Sequence, residues 1–189
     1  MSAETFIHPS AEIAASVVVG RGCRIWQNCI LVDDAVLGDA CKLAHNVFVE
    51  GGVWLGNRVT VKDNVALYTG VEIEDEVFIG PNAVFTNVLN PRSMISRKDE
   101  FRKTRILQGA SIGANATILC GVTIGRNAMI GAGTMVTRDI ANHALVVGNP
   151  AKTIGWVSAA GHRLDGSLTC PVTGVRHEEI VDGLVALEG

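Results

Sequence analysis

The chain repeats itself every six residues. From Ile7, each sixth residue is Ile7, Ile13, Val19, Ile25, Leu31, Leu37, Leu43, Val49, Leu55, Val61, Leu67, Ile73, Ile79 and Phe85, and all of these are apolar. Four places after each stands a small or β-branched residue, from Ala11, Val17 and Cys23 through Val77 and Ala83, with Leu89 the exception. The register then jumps by three and resumes at Ile106, Ile112, Ile118, Ile124, Ile130 and Val136. Such a period matches neither an α-helix nor a long alternating strand. It requires short strands joined by tight turns, with three hexads closing one 18-residue coil of three flat faces. At a strand spacing of about 4.8 Å, about seven coils make a prism roughly 30 Å long.

The expected fold is therefore all-β, a parallel β-helix over 1–155 with one inserted loop, 87–105, and an appendage over 156–189. Composition agrees: apolar residues make up 48% of the chain but aromatic ones only 5%, so the core is built from Val, Ile, Leu, Ala and Cys in thin layers. Five scattered cysteines, an odd number, argue against a disulfide framework and for a reducing compartment. A net charge of -3 gives no electrostatic reason to expect nucleic acid as a partner. No leader-like start or 18-residue apolar run occurs, so no membrane insertion and a cytoplasmic location are expected.

Folding the hexads onto three faces puts Ile7, Ile25, Leu43, Val61 and Ile79 on one, and Ile13, Leu31, Val49, Leu67 and Phe85 on the next. Three places after four of the first set come Asn28, Asn46, Asn64 and Asn82, an asparagine column along one edge. Its structural reading is a ladder of turn residues joined by side-chain amides; its functional reading is that Asn46 or Asn64 also faces a ligand. His45 and Lys62 belong to the same edge. Tyr68, the only tyrosine, suits either stacking on a ligand ring or subunit packing.

The break from Asn87 to Arg105 carries Asn90, Arg92, Arg97 and Lys98 in a basic, polar run. A long insertion in a tightly periodic fold is usually functional, and its local basicity suits a clamp for a phosphorylated or carboxylated ligand. Downstream, "ILQGASIGANATILCGVTIGRNAMIGAGTMVTRDI" is rich in small residues and leaves backbone groups open to an extended ligand. Past the last coil, the period is lost. A short helix is expected near Val157–His162, followed by a hairpin-like tail with turns at "TG" and "DG". Cys170 and His177 fall short of a closed zinc set, so no metal is expected.

The hexads resemble those of the hexapeptide-repeat, left-handed parallel β-helix family, and the resemblance implies the left hand. The segments "CRIWQNC", "VFTNVLNPR" and "ALVVGNPAKTIGW" further resemble the sugar-nucleotide 3-N-acetyltransferases, and within them those acting on UDP-2-acetamido-3-amino-2,3-dideoxy-glucuronate in surface-polysaccharide (O-antigen) synthesis. The resemblance implies a homotrimer with intersubunit active sites, acetyl-CoA as cosubstrate and a nucleotide-linked 3-amino sugar as acceptor. It gives Asn87 the role of orienting the amine through its amide carbonyl, with the leaving CoA thiolate taking the proton. No histidine lies in the insertion, and His45 is the alternative base. Asn46, Lys62, Asn64, Tyr68, Asn90, Arg92, Arg97 and Lys98 are the acceptor candidates. Gln108, Gly109, Arg126, Gly133, Asn149 and Lys152 are the candidates for CoA. Two other readings stay open: acetylation of a dTDP-linked 3-amino-3,6-dideoxyhexose, and a non-enzymatic β-helix scaffold.

Overall fold

In a computed structural model that describes residues 4–187, the chain winds as a three-sided left-handed parallel β-helix. The first face stacks nine strands, from Phe6–Ile7 through Met129–Ile130 to Ala144–Val147 and Lys152–Trp156. The second stacks seven, from Glu12–Ile13 to Met135–Val136, and the third stacks six, from Val18–Val19 to Thr123–Ile124. Apart from the antiparallel last pair of the first face, Ala144–Val147 with Lys152–Trp156, pairing is parallel and in register with the hexads: Ile25 faces Leu43, Leu31 faces Val49, and Leu37 faces Leu55. The two sets of residues assigned to faces from the sequence each fall on a single sheet.

From Ile25 to Val136 the last residue of each two- or three-residue strand points inward. Ile25, Leu43, Leu55, Val61, Leu67, Ile73, Ile79, Ile106, Ile112 and Ile118 are all fully buried. The fourth-place residues, including Cys23, Cys29, Cys41, Val47 and Val59, fill the corners between them, also fully buried or nearly so. Burial pushes the Cys41 thiol up to about 12, and its Sγ donates to the Gly56 carbonyl at 3.1 Å. All five cysteines are free and buried.

Each edge is turned by a left-handed residue. On the first edge these are Asn28, Asn46, Asn64 and Asn82, with φ of 58, 59, 60 and 57°, a region asparagine tolerates better than most residues. Asn46 Nδ2 donates to Asn64 Oδ1, and Asn64 Nδ2 to Asn82 Oδ1, both at 3.1 Å. The column is thus an amide ladder. A second ladder runs up the third edge, where the Asn57 N–H and side chain hold the Asp75 carboxyl below the usual carboxylate range.

The insertion leaves the edge between the second and third faces. Ile73 pairs with Leu55 below it and with Ile106 above it. The step up is 106 − 73 = 33 positions instead of 73 − 55 = 18, so the loop adds 15 residues. It carries one 3₁₀ turn, Lys98–Glu100. Its base is closed where Arg102 N–H donates to the Asn87 carbonyl at 2.9 Å and Thr104 N–H to the Gly70 carbonyl at 2.9 Å.

The expected helix near Val157–His162 is not formed. Val157 and Arg163 pair as an antiparallel bridge, and Ser158 N–H donates to the His162 carbonyl at 2.9 Å, making a tight reversal. Gly161, at φ 80°, is left-handed and incompatible with a continuing helix. Beyond it, His177–Ile180 and Gly183–Ala186 form an antiparallel hairpin. The hairpin docks on the last coil through Asn142 N–H to the Asp182 carbonyl at 2.8 Å. A Cβ at Gly183 would lie 2.5 Å from the Asn142 carbonyl oxygen, so only glycine permits this approach.

Candidate active site

Asn87 stands at the mouth of the insertion, half-buried. Its carbonyl is taken by Arg102, while its side-chain amide makes no hydrogen bond among the described residues. Beside it, Thr86 Oγ1 accepts from Cys120 N–H at 2.9 Å, anchoring the loop to the coil above. Tyr68 lies one coil below on the same edge, its ring 6.3 Å from that of Phe48. Glu50 also joins this edge, its carboxylate receiving Thr69 N–H at 2.7 Å. Nothing in the hexad pattern singles out Glu50, because its partner comes from the next coil.

The basic residues of the insertion divide once their partners are known. Arg97 Nη1 donates to Glu100 Oε1 at 2.7 Å and spans the 3₁₀ turn, so this guanidinium ties the loop to itself. Arg92 Nη1 reaches the neighbouring Pro91 carbonyl at 3.0 Å. Lys103 and Arg105 turn away to Glu72, at 2.6 and 3.8 Å. Lys98 and Asn90 are exposed. Arg102, absent from the sequence-derived set, makes no side-chain hydrogen bond or ion pair among the described residues and lines a cavity of about 440 Å³ with Leu89, Asn90, Glu100 and Phe101.

His45, Asn46, Lys62 and Asn64 gather on the first edge. His45 Nδ1 is hydrogen-bonded to the Asp63 carboxylate. Because a carboxylate only accepts, Nδ1 carries a proton in this contact, and in the neutral ring Nε2 is then the lone-pair acceptor. Burial works to raise the Asp63 carboxyl but is outweighed by its own backbone N–H and by His45, so the carboxyl stays below its ordinary value. This edge and the Asn87 edge bound opposite sides of the second face, a separation on the order of 15 Å from the strand rise. A single subunit therefore does not bring His45 and Asn87 to one atom.

The residues assigned to CoA also separate. Gln108, Gly109 and Arg126 lie on the third edge. Arg126 is held by Gln108 Oε1 at 2.9 Å and Glu74 Oε2 at 3.2 Å. The adjoining grooves of about 580 and 410 Å³ there are lined by Glu72, Glu74, Asp75, Asp139 and Asp182 against Arg105 and Arg126 alone. That excess of carboxylates opposes a polyphosphate. Gly133 turns the first edge, at φ 69°. Asn149 and Lys152 lie in the reversal beyond the last coil, where Lys152 pairs with Val147.

Residues 103–138 match the family described as bacterial transferase hexapeptide (six repeats). The chain is a hexapeptide-repeat β-helix. Over 91 residues, 47% of its length, it is 43% identical to the dTDP-3-amino-3,6-dideoxy-alpha-D-galactopyranose 3-N-acetyltransferase of Aneurinibacillus thermoaerophilus. Its fold is similar to that of a variant perosamine N-acetyltransferase from Caulobacter crescentus in complex with CoA and GDP-perosamine (TM-score 0.56, 23% identity, 82% of this chain and 58% of the other). It is also similar to the acetyltransferase domain of PglB from Neisseria gonorrhoeae, in complex with acetyl coenzyme A (TM-score 0.54, 23% identity, 81% and 58%). A maltose O-acetyltransferase from Clostridium difficile shares the fold as well (TM-score 0.55, 26% identity, 62% and 67%). The hexapeptide-repeat chain spans 46% of the Aneurinibacillus relative. Among the described residues, no three His, Cys, Asp or Glu side chains group to hold a metal, and no helix is long and apolar enough to cross a membrane.

Proposed function

We propose that the chain transfers the acetyl group of acetyl-CoA to the amino group of a nucleotide-linked 3-amino sugar. The observation that carries this is the 43% identity over 91 residues to a dTDP-3-amino-sugar 3-N-acetyltransferase. The free amide of Asn87, at the mouth of the long insertion in the repeat, supports it. In this reading, the side-chain amide oxygen of Asn87 accepts a hydrogen bond from the neutral amine and so aims the nitrogen's lone pair at the thioester carbon. Nitrogen–carbon bond formation gives an oxyanion intermediate; its collapse expels CoA thiolate, which takes the proton the nitrogen sheds.

A dTDP-linked 3-amino-3,6-dideoxyhexose is the better acceptor reading than UDP-2-acetamido-3-amino-2,3-dideoxy-glucuronate. The relative that matches over 91 residues is a dTDP-3-amino-3,6-dideoxyhexose 3-N-acetyltransferase, and Arg97, Lys103 and Arg105, which could otherwise meet a C6 carboxylate, are paired with protein carboxylates. A C6 methyl needs no cation. A second mechanism is favoured by one contact: the His45–Asp63 pair has the form of an oriented general base. Because one subunit holds the two at opposite edges of the second face, this mechanism requires a second subunit to supply His45 to the amine at Asn87.

The test is thiol release with dTDP-3-amino-3,6-dideoxyhexose, UDP-3-amino-glucuronate and free serine as acceptors, and with Asn87→Ala and His45→Ala variants. Turnover is expected with the nucleotide sugars, and Asn87→Ala should lose kcat by about a hundredfold, the scale of one positioned group. Activity on serine alone would reject the acceptor class. An active Asn87→Ala beside a dead His45→Ala would transfer the chemistry to the His45–Asp63 pair.

A further inference from the structure

The cavity beside Asn87 joins unlike walls. Leu89 and Phe101, 44% and 36% exposed, give it apolar surface, and Asn90 adds an amide. Glu100 is neutralised by Arg97 at 2.7 Å. This leaves Arg102 as the unbalanced charge. Its backbone is pinned by the Asn87 carbonyl at 2.9 Å. Its aliphatic stem passes over Gly121, where an added Cβ would sit 3.2 Å from Cδ. The guanidinium is thus carried on a supported stem and has no protein partner among the described residues, unlike Arg97, Lys103, Arg105 and Arg126.

Resting on the nucleotide-sugar reading, we infer that this cavity receives the nucleoside diphosphate half of the acceptor, with Arg102 binding the diphosphate and Phe101 serving as the platform for the base. A planar guanidinium matches phosphate oxygens in a bidentate fork. An aromatic face stacks on a base without needing its identity. The volume of about 440 Å³ is within the range of small-molecule sites. Asn87, joined to Arg102 through its backbone carbonyl, is then next to the diphosphate end, where the sugar follows and the amine is to be aimed.

Two measurements test the inference. In steady-state kinetics, Arg102→Gln raises the KM of the nucleotide sugar about ten- to a hundredfold, the scale of a lost charged hydrogen bond, while kcat and the acetyl-CoA KM move less than about twofold. Arg102→Lys recovers part of the loss, because a point charge replaces the fork. In calorimetry, dTDP and UDP bind the wild-type protein, thymidine binds more weakly, and Arg102→Gln and Phe101→Ala each weaken dTDP. Circular dichroism melting confirms that the variants fold. An unchanged nucleotide-sugar KM, or equal dTDP binding by wild type and Arg102→Gln, overturns the subsite. A rise confined to the acetyl-CoA KM overturns it too, assigning Arg102 to a CoA phosphate. If no nucleotide sugar is acetylated yet dTDP binds through Arg102, the proposed reaction fails and the subsite stands.

Discussion

His143 turns the third edge with a left-handed backbone, φ 62°, and is 4% exposed. Its Nδ1 donates to the Val157 carbonyl at 2.8 Å, and its Nε2 faces the Asn127 amide at 3.3 Å, so the ring is held as one neutral tautomer. Burial lowers its proton affinity, and the adjacent His177 ring, 5.0 Å away, adds to that. The folded pKa is therefore below the unfolded value of 6.5. Between the two the unfolded chain binds more protons, so stability rises with pH in that window and is lost as the pH falls through it. Below about pH 6.5 stability should rise with pH, by at most about 1.4 kcal/mol per pH unit from this one proton, and melting temperatures measured across that range should climb with it. His143→Gln, which retains a donor for Val157, should flatten the slope.

At the scale of the strand and its turn, what matters is how closely one coil lies on the next. A Cβ at Gly38 would stand 2.7 Å from the carbonyl carbon and oxygen of Gly56, which are backbone atoms with no room to move. Gly38→Ala should cost about 1–3 kcal/mol by overpacking, read as a lower urea midpoint. Gly52 is the contrast: it is left-handed at φ 75° but has nothing within 4 Å of its Cβ position. Alanine there should cost only the backbone penalty of about 1–2 kcal/mol. Hexad spacing locates both glycines, but only the stacked coils distinguish close approach from backbone freedom. The same limit explains the missing helix after Val157. Local pattern suggests it, while Gly161 and the Val157–Arg163 bridge bend the chain back on itself.

For the molecule as a whole, the outward row of the second face is apolar over much of its length, with Ile30 41% and Val84 50% exposed beside Phe48 and Ala66. The catalytic candidates stand at opposite edges of that face. We propose that this face packs against other copies of the chain in a homotrimer. Sedimentation should report a species of 3 × 20.0 = 60 kDa, and a stable monomer would remove the intersubunit site from consideration.

The six-residue period is sufficient for the three faces, the inward residues and the asparagine ladder, because each depends on contacts that recur at a constant 18-residue offset. It also locates the insertion, as the place where that offset fails. Which charges within the insertion remain available is decided by partners on other coils and within the loop itself. Arg97 stands out in the sequence and is spent on Glu100, whereas Arg102 does not and remains free among the described residues. The His45 ring is oriented only because its Nδ1–H donates to Asp63, a coil above. A linear sequence records how many charges there are, but ion pairing depends on distances of a few ångströms between segments that only the coiled chain brings together.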